Sequence, residues 1–267
     1  MITDAVLHIW SIPLNPAFHH RTEPMSADEL LAEMDRAGVG RAVLVPPQPD
    51  ENGYGVEVAA RHPDRFRVMP VIDPRQPHAG QFFERLAGHA QVAGCRVVMH
   101  TPELARALEA EEFEDFWIEA ERSGLPVAVF PPRALAVVAD VARRHPGLRL
   151  MIDHLGLPLW VTGAAAMVEL GPVLELARFP NVAVKASGLP THSELPFPFP
   201  DLSSPLRALL GVFGPERVFW GSDLTRLRCS YSEAVDMMPG LIPDDRIRRL
   251  VMGEALSDWI GWPSSGP

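Results

Sequence analysis

The chain has 267 residues, 47 % hydrophobic and 22 % charged, with a formal net charge of −10 at pH 7. This is ordinary globular composition, long enough for a sizeable core, and its acidic balance argues against a nucleic-acid-binding surface. Cys95 and Cys229 form neither a disulfide framework nor a zinc motif. The start Met-Ile-Thr-Asp lacks the basic and apolar regions of a signal peptide, and no run of about 18 apolar residues is present to span a membrane. The expectation is a cytoplasmic protein acting on a small-molecule substrate, with no nucleic-acid or membrane partner and its homo-oligomeric state left open.

Short β-branched runs alternate with amphipathic stretches along the whole chain. Residues 2–8 read as a strand. Ser26 then reads as a helix N-cap with Glu29 as its capping-box partner, Leu30, Leu31, Met34 and Ala37 as the apolar stripe, and Gly38 as the stop. Further strands are predicted at 41–45, 66–72, 95–100, 127–130, 148–154, 182–187 and 218–223. Helices are predicted near 51–61, 80–92, 111–123, 133–144, 163–178, 203–213, 232–239 and 244–261. Alternation of this kind demands a parallel sheet, and eight such units close most naturally into a (β/α)8 TIM barrel, α/β in class, with residues 1–267 as one domain. The alternative is an open doubly wound sheet, but no G-x-G-x-x-G follows the first strand. Residues 11–25 and 189–202 are the most irregular stretches. Each follows a strand, so each is expected to wall or cover the catalytic face.

In a barrel, chemistry sits at the carboxyl ends of the strands. Those ends carry His8 with Trp10 just beyond, Arg96 and His100, Asp153-His154, Lys185 and Ser187, and Asp223. Side chains alternate with period two, so Asp4, Val6 and His8 share a face, as do Arg96, Val98 and His100, and Phe219, Gly221 and Asp223. If each terminal residue points into the mouth, His8, His100, His154, Lys185 and Asp223 converge.

These pieces, in order, resemble the amidohydrolase-related barrels that include 2-pyrone-4,6-dicarboxylate lactonase, sugar lactonases and aminocarboxymuconate-semialdehyde decarboxylase. Residues 3–10 (TDAVLHIW) are similar to the family's opening I-D-x-H-x-H-x-W. Residues 71–75 (VIDPR), 94–96 (GCR), 152–156 (IDHLG), 184–188 (VKASG) and 220–223 (WGSD) follow in the family's order. The resemblance implies a metal held by both His of H-x-H, a His ending strand five and the Asp ending strand eight. Here Val6 replaces the first His and Phe130 the strand-five His. The resemblance therefore implies a metal-independent hydrolase opening a lactone or similar cyclic ester. Asp223 would be its general base, and His8 and His154 would stabilise the oxyanion. Arg96 would grip a carboxylate or carbonyl. His100, Lys185, Trp10, Phe130 and Arg226 are further candidate substrate contacts. No cofactor is expected; a zinc, if held, would use His8, His154 and Asp223.

Each residue also has a structural reading. Asp223 would serve as a cap, His8 and His154 as satisfied core imidazoles, and Lys185 as the partner of a carboxylate such as Asp4. His19 and His20 are pocket candidates or solvated loop residues, and Arg226 and Arg228 either bind an anionic substrate or lie exposed. The apolar Val6 and Phe130 are expected to raise the Asp223 pKa by desolvation and to favour an aromatic or terpenoid-like substrate over a sugar. Two other functions stay open: a metal-dependent non-oxidative decarboxylase, and a catalytically degenerate barrel that only binds a small molecule.

Overall fold

The computed structural model describes residues 1–13, 19–76, 81–99 and 113–262. Its parallel strands are β1 Ile2–Leu7, β2 Val39–Leu44, β3 Phe66–Val68, β4 Cys95–Val98, β5 Val127–Phe130, β6 Leu150–Ile152, β7 Val182–Ser187 and β8 Val218–Gly221. They pair in chain order as β1-β2-β3 and β4-β5-β6-β7-β8. Single bridges join the two runs: Val68 pairs with Val92 and Val71 with Arg96. At the remaining seam the Asp223 N–H donates to the Val6 carbonyl at 3.1 Å. The eight strands thus form a barrel.

Strand β3 is shorter than the 66–72 expected, because Pro70 has no N–H to give the ladder; its carbonyl still accepts from the Arg96 N–H at 2.8 Å. Strand β6 stops at Ile152 because residues 153–156 turn sharply, with His154 and Leu155 at φ 51° and 59°.

Helix α1 (Ala27–Ala37) has the expected capping box from Ser26 and Glu29 and ends at Gly38 in the left-handed region. Then follow α2 Asn52–Arg61, α3 Gln81–Ala87, α4 Glu114–Ser123, α5 Leu135–Arg144, α6 Gly163–Leu174 and α7 Ser203–Phe213. The stretch expected as one helix at 232–239 is divided into α8 Tyr231–Asp236 and α9 Met238–Leu241. That expected at 244–261 comprises α10 Asp245–Arg249, a π-helical turn Leu250–Glu254 and α11 Ala255–Ile260. Among the described residues no helix is long and apolar enough to cross a membrane.

Two layers of apolar packing follow from the strand period. Leu7, Leu44, Val97, Val129, Ile152, Val184 and Trp220 face outward and pack with helix residues such as Leu30, Val138 and Leu206. Val6, Val43, Met69, Ala128, Met151, Ala183 and Phe219 form a separate inner cluster. The inward positions nearer the carboxyl ends are polar instead: Arg96, Asp153, Lys185 and Ser187 are all buried. The fold thereby assembles charge at one end of an apolar plug.

The β4–β5 pairing leaves no room for a side chain at Gly94. Its φ is 143°, and a Cβ there would lie 2.2 Å from the Pro126 carbonyl oxygen, the same oxygen that accepts the Cys95 N–H at 3.0 Å. Gly94→Ala is expected to lower the unfolding free energy by about 2 kcal/mol or more, read from urea denaturation; an unchanged midpoint would mean that the strand start can shift freely.

Candidate active site

Asp223 is fully buried just beyond β8. Its backbone is left-handed at φ 53°, a conformation that Asp tolerates better than most residues. The turn, rather than strand alternation, therefore aims its carboxylate. Gly188 beside it takes the left-handed conformation at φ 66°, and a Cβ there would make ordinary contact, 3.4 Å from Asp223 Oδ2.

Three cationic or imidazole groups meet this carboxylate. His8 Nε2 lies 3.3 Å from Oδ1, His154 Nδ1 3.5 Å from Oδ2, and Arg226 Nη1 donates to Oδ2 at 3.0 Å. Burial by itself raises the pKa of Asp223, but His154, His8 and Arg226 outweigh it and hold the carboxyl well below the ordinary carboxylate range. The expected upward tuning by an apolar floor is thus corrected: neighbouring charge dominates, and Asp223 is an anion at any ordinary pH.

Proton positions follow from the partners. His8 Nδ1 lies 2.7 Å from the Val45 carbonyl oxygen, which can only accept, so Nδ1 carries the hydrogen. Nε2 then faces Asp223 Oδ1 at 3.3 Å. His154 Nε2 lies 3.3 Å from Arg96 Nη2, which can only donate. Its Nδ1–H therefore faces Ser187 Oγ at 2.9 Å. Burial lowers the His154 pKa to about 3, keeping the ring neutral. Both ring nitrogens of His154 are thus engaged within the protein.

Beneath them is a buried ion cluster. Asp153 accepts from Arg96 Nε at 2.7 Å and pairs with Lys185 Nζ at 3.0 Å. Burial opposes its ionisation, but Lys185, Arg96 and His154 bring its pKa down to about 2. Lys185 is fully buried and pairs here, not with Asp4. Asp4 accepts from the N–H groups of Val6 and Ser222 and from the Tyr231 hydroxyl, at 2.9, 3.0 and 2.8 Å.

A cavity of about 410 Å³ opens over these groups, lined by His8, His19, Pro47, Arg96, Val98, Phe130, Pro132, His154, Leu159, Trp160 and Arg226. It gathers His8, His154, Arg96, Phe130 and Arg226 as expected. Lys185 does not reach it, because the side chain ends on Asp153. Trp10 does not either: its ring is buried behind His19, at 6.1 Å between centroids. His100 lies outside the described residues. Arg228 turns away and donates to the Ser193 carbonyl at 3.2 Å.

The 11–25 stretch contributes His19, whose Nδ1 is 2.7 Å from Thr225 Oγ1 and whose ring stands edge-on to His8. His20 opens instead onto a cleft with Arg21, Glu33 and Arg36. The 189–202 stretch does not wall the cavity; His192 and Leu202 line another one, with Leu157 and Ala166. The far wall comes from Leu159 and Trp160, overlooked in the sequence, although two large apolar residues in the loop after a strand were the available signal.

Among the described residues the donor set does not fit a protein-held zinc, which takes at least three protein ligands. Val6 belongs to the inner apolar cluster, and the Phe130 ring stands edge-on to His154. Among the described residues no three His, Cys, Asp or Glu side chains group to hold a metal ion.

Comparison with known proteins gives three kinds of likeness. A family model described as amidohydrolase matches residues 4–265. The chain is 29 % identical over 243 residues to an L-fucono-1,5-lactonase of Burkholderia ambifaria, covering 82 % of this chain and 79 % of that protein. It is 28 % identical over 202 residues to a 4-sulfomuconolactone hydrolase of Rhizobium radiobacter, covering 73 % and 64 %. Among solved structures, a zinc-bound amidohydrolase of Burkholderia multivorans superposes with a TM-score of 0.82 at 23 % identity, covering 98 % and 100 %.

Two outcomes follow from the site. Asp153→Ala leaves Arg96 and Lys185 buried without their counter-charge and is expected to cost roughly 3–5 kcal/mol of stability. Urea denaturation measures this; a loss below about 1 kcal/mol would show that water reaches the cluster. The second outcome concerns pH. His154 and His19 have folded pKa values lowered by burial from 6.5 to about 3. The unfolded chain therefore takes up more protons than the folded one as pH falls below 6.5, and the stability present above that value is lost toward about 3. Asp4, raised by burial from 3.8 to about 6, acts oppositely, adding stability below 3.8 that is lost as pH rises through about 6. Two imidazoles outweigh one carboxyl, so the unfolding free energy should fall between pH 6.5 and pH 4. Denaturation curves across that range test this, and a flat profile would contradict the neutral imidazoles.

Proposed function

The chain belongs to the amidohydrolase family, and on that premise we propose that it is a hydrolase that opens a lactone without a metal, using Asp223 and His8 together as the acceptor of a water proton. The observation that carries this reading is the contact between His8, which lines the cavity, and the fully buried Asp223, with His8 Nε2 3.3 Å from Oδ1. A water in the cavity beside His8 gives up a hydrogen to this pair and presents its oxygen lone pair outward. Neighbouring acceptors of this kind strengthen a nucleophile. The names of the lactonase and lactone hydrolase relatives favour a cyclic ester as electrophile. Such an ester needs less polarisation than an amide.

The steps use groups already in place. An O–H bond of the water breaks and its proton passes to the Asp223–His8 pair while the oxygen bonds to the lactone carbonyl carbon. Negative charge develops on the carbonyl oxygen. Arg96, aimed by Asp153 and His154, supplies the opposing positive charge. Collapse breaks the ring C–O bond, and the departing alkoxide takes the proton back from the pair. The product is the open hydroxy acid. Asp223 and His8 are the catalytic residues, and Arg96 is the electrophilic contact. His154 is a positioning residue, linking Arg96 to Asp223 through its two ring nitrogens.

Loss of the Val6 and Phe130 ligand positions supports working without a metal, and it disfavours the decarboxylase reading, for which the resemblance implies one. Asp223→Asn keeps a residue suited to the left-handed turn but removes the charge and the base. It is expected to lower kcat for lactone opening by about 10³-fold or more with an unchanged circular dichroism spectrum. Wild-type protein dialysed against a strong chelator should keep its full rate. Near-normal turnover by Asp223→Asn would remove the carboxylate from the mechanism, and activity lost on chelation and restored by zinc would overturn the metal-free reading.

A further inference from the structure

The cavity lining is both polar and apolar. His8, His154, Arg96 and Arg226 lie by the ends of β1, β4, β6 and β8 with His19 beside them, and Val98, Phe130, Leu159 and Trp160 with two prolines supply the apolar part, Phe130 edge-on to His154. Each guanidinium in this lining already faces a carboxylate, Arg96 on Asp153 and Arg226 on Asp223. A fixed anion on the substrate is therefore not needed to balance them. Ring hydroxyls pressed on the apolar wall would lose their water and gain no partner from these side chains, a penalty that methylene groups do not carry.

Trp160 is the outermost part of this wall. It is 64 % exposed, one of the most exposed large apolar side chains described, and it stands on the loop between β6 and α6 with Leu159 beside it. An indole held in water at a cavity rim has apolar surface to cover. The cavity volume of about 410 Å³ takes a six-membered ring with a short chain attached.

From this arrangement we propose that the substrate is a neutral lactone carrying an alkyl or aryl substituent, with the ring at the His8–Asp223 end and the substituent along Phe130, Leu159 and Trp160. This rests on the lactone-opening reading above. It sets the chain apart in substrate from the sugar lactonase that it is similar to, and Trp160 becomes the residue that determines specificity.

The test compares four lactones on the wild-type protein: δ-valerolactone, δ-decalactone, glucono-1,5-lactone and the anionic muconolactone. The expected result is a kcat/KM for δ-decalactone at least tenfold above each of the others. Trp160→Ala should narrow the ratio of δ-decalactone to δ-valerolactone severalfold, through KM more than kcat. Val168→Ser, at an exposed position on α6 away from the cavity, should leave that ratio unchanged. A higher kcat/KM for the sugar or the anionic lactone overturns the inference and leaves the hydrolase reading standing. Turnover of none of the four overturns the hydrolase reading. In that event calorimetry with the corresponding lactams still decides the inference: tighter binding of the pentyl-substituted lactam supports it, and equal or weaker binding overturns it.

Discussion

A buried carboxylate that stays ionised is the constraint around which this barrel is organised. Asp223 has no access to solvent, so its charge persists only because Arg226, His154 and His8 stand within 3.0, 3.5 and 3.3 Å. An isolated carboxylate in that position would take up a proton. The left-handed turn after β8 and the commitment of His8 Nδ1 to Val45 place this anion beside the His8 ring.

The second buried carboxylate does different work. Asp153 is matched by two cations, so its pKa falls to about 2, and it turns Arg96 toward the cavity instead of reacting. Two acids just beyond β6 and β8 thus divide their roles by their partners. Asp153 has cations on both oxygens. Asp223 faces two imidazoles and one guanidinium, and His8 connects it to the cavity. The neutral His154 couples the two, accepting from Arg96 and donating toward Ser187 beside Asp223.

The apolar residues at positions 6 and 130 change the chemistry available more than they change the packing. Val6 completes the plug that fills the inner barrel, and the Phe130 ring packs edge-on to His154. Neither offers a nitrogen to the cavity. What remains on the floor is a set of hydrogen-bonded and charged groups.

Much of this was written in local pattern. Strand–helix alternation along the chain, the Ser26–Glu29 capping box and the polar residues closing β1, β4, β6, β7 and β8 are short-range features, and they led to the barrel and to His8, Arg96, His154 and Asp223 together. What pattern could not supply is the direction of each hydrogen and each charge. Lys185 pairs with Asp153 rather than Asp4, Trp10 backs His19 instead of touching the cavity, the far wall comes from Leu159 and Trp160, and the Asp223 pKa falls rather than rises. Periodicity states which face of an element a residue occupies. The partner that it meets there comes from another element, 57 residues away for Arg96 and Asp153, and only closure of the barrel brings the two within reach.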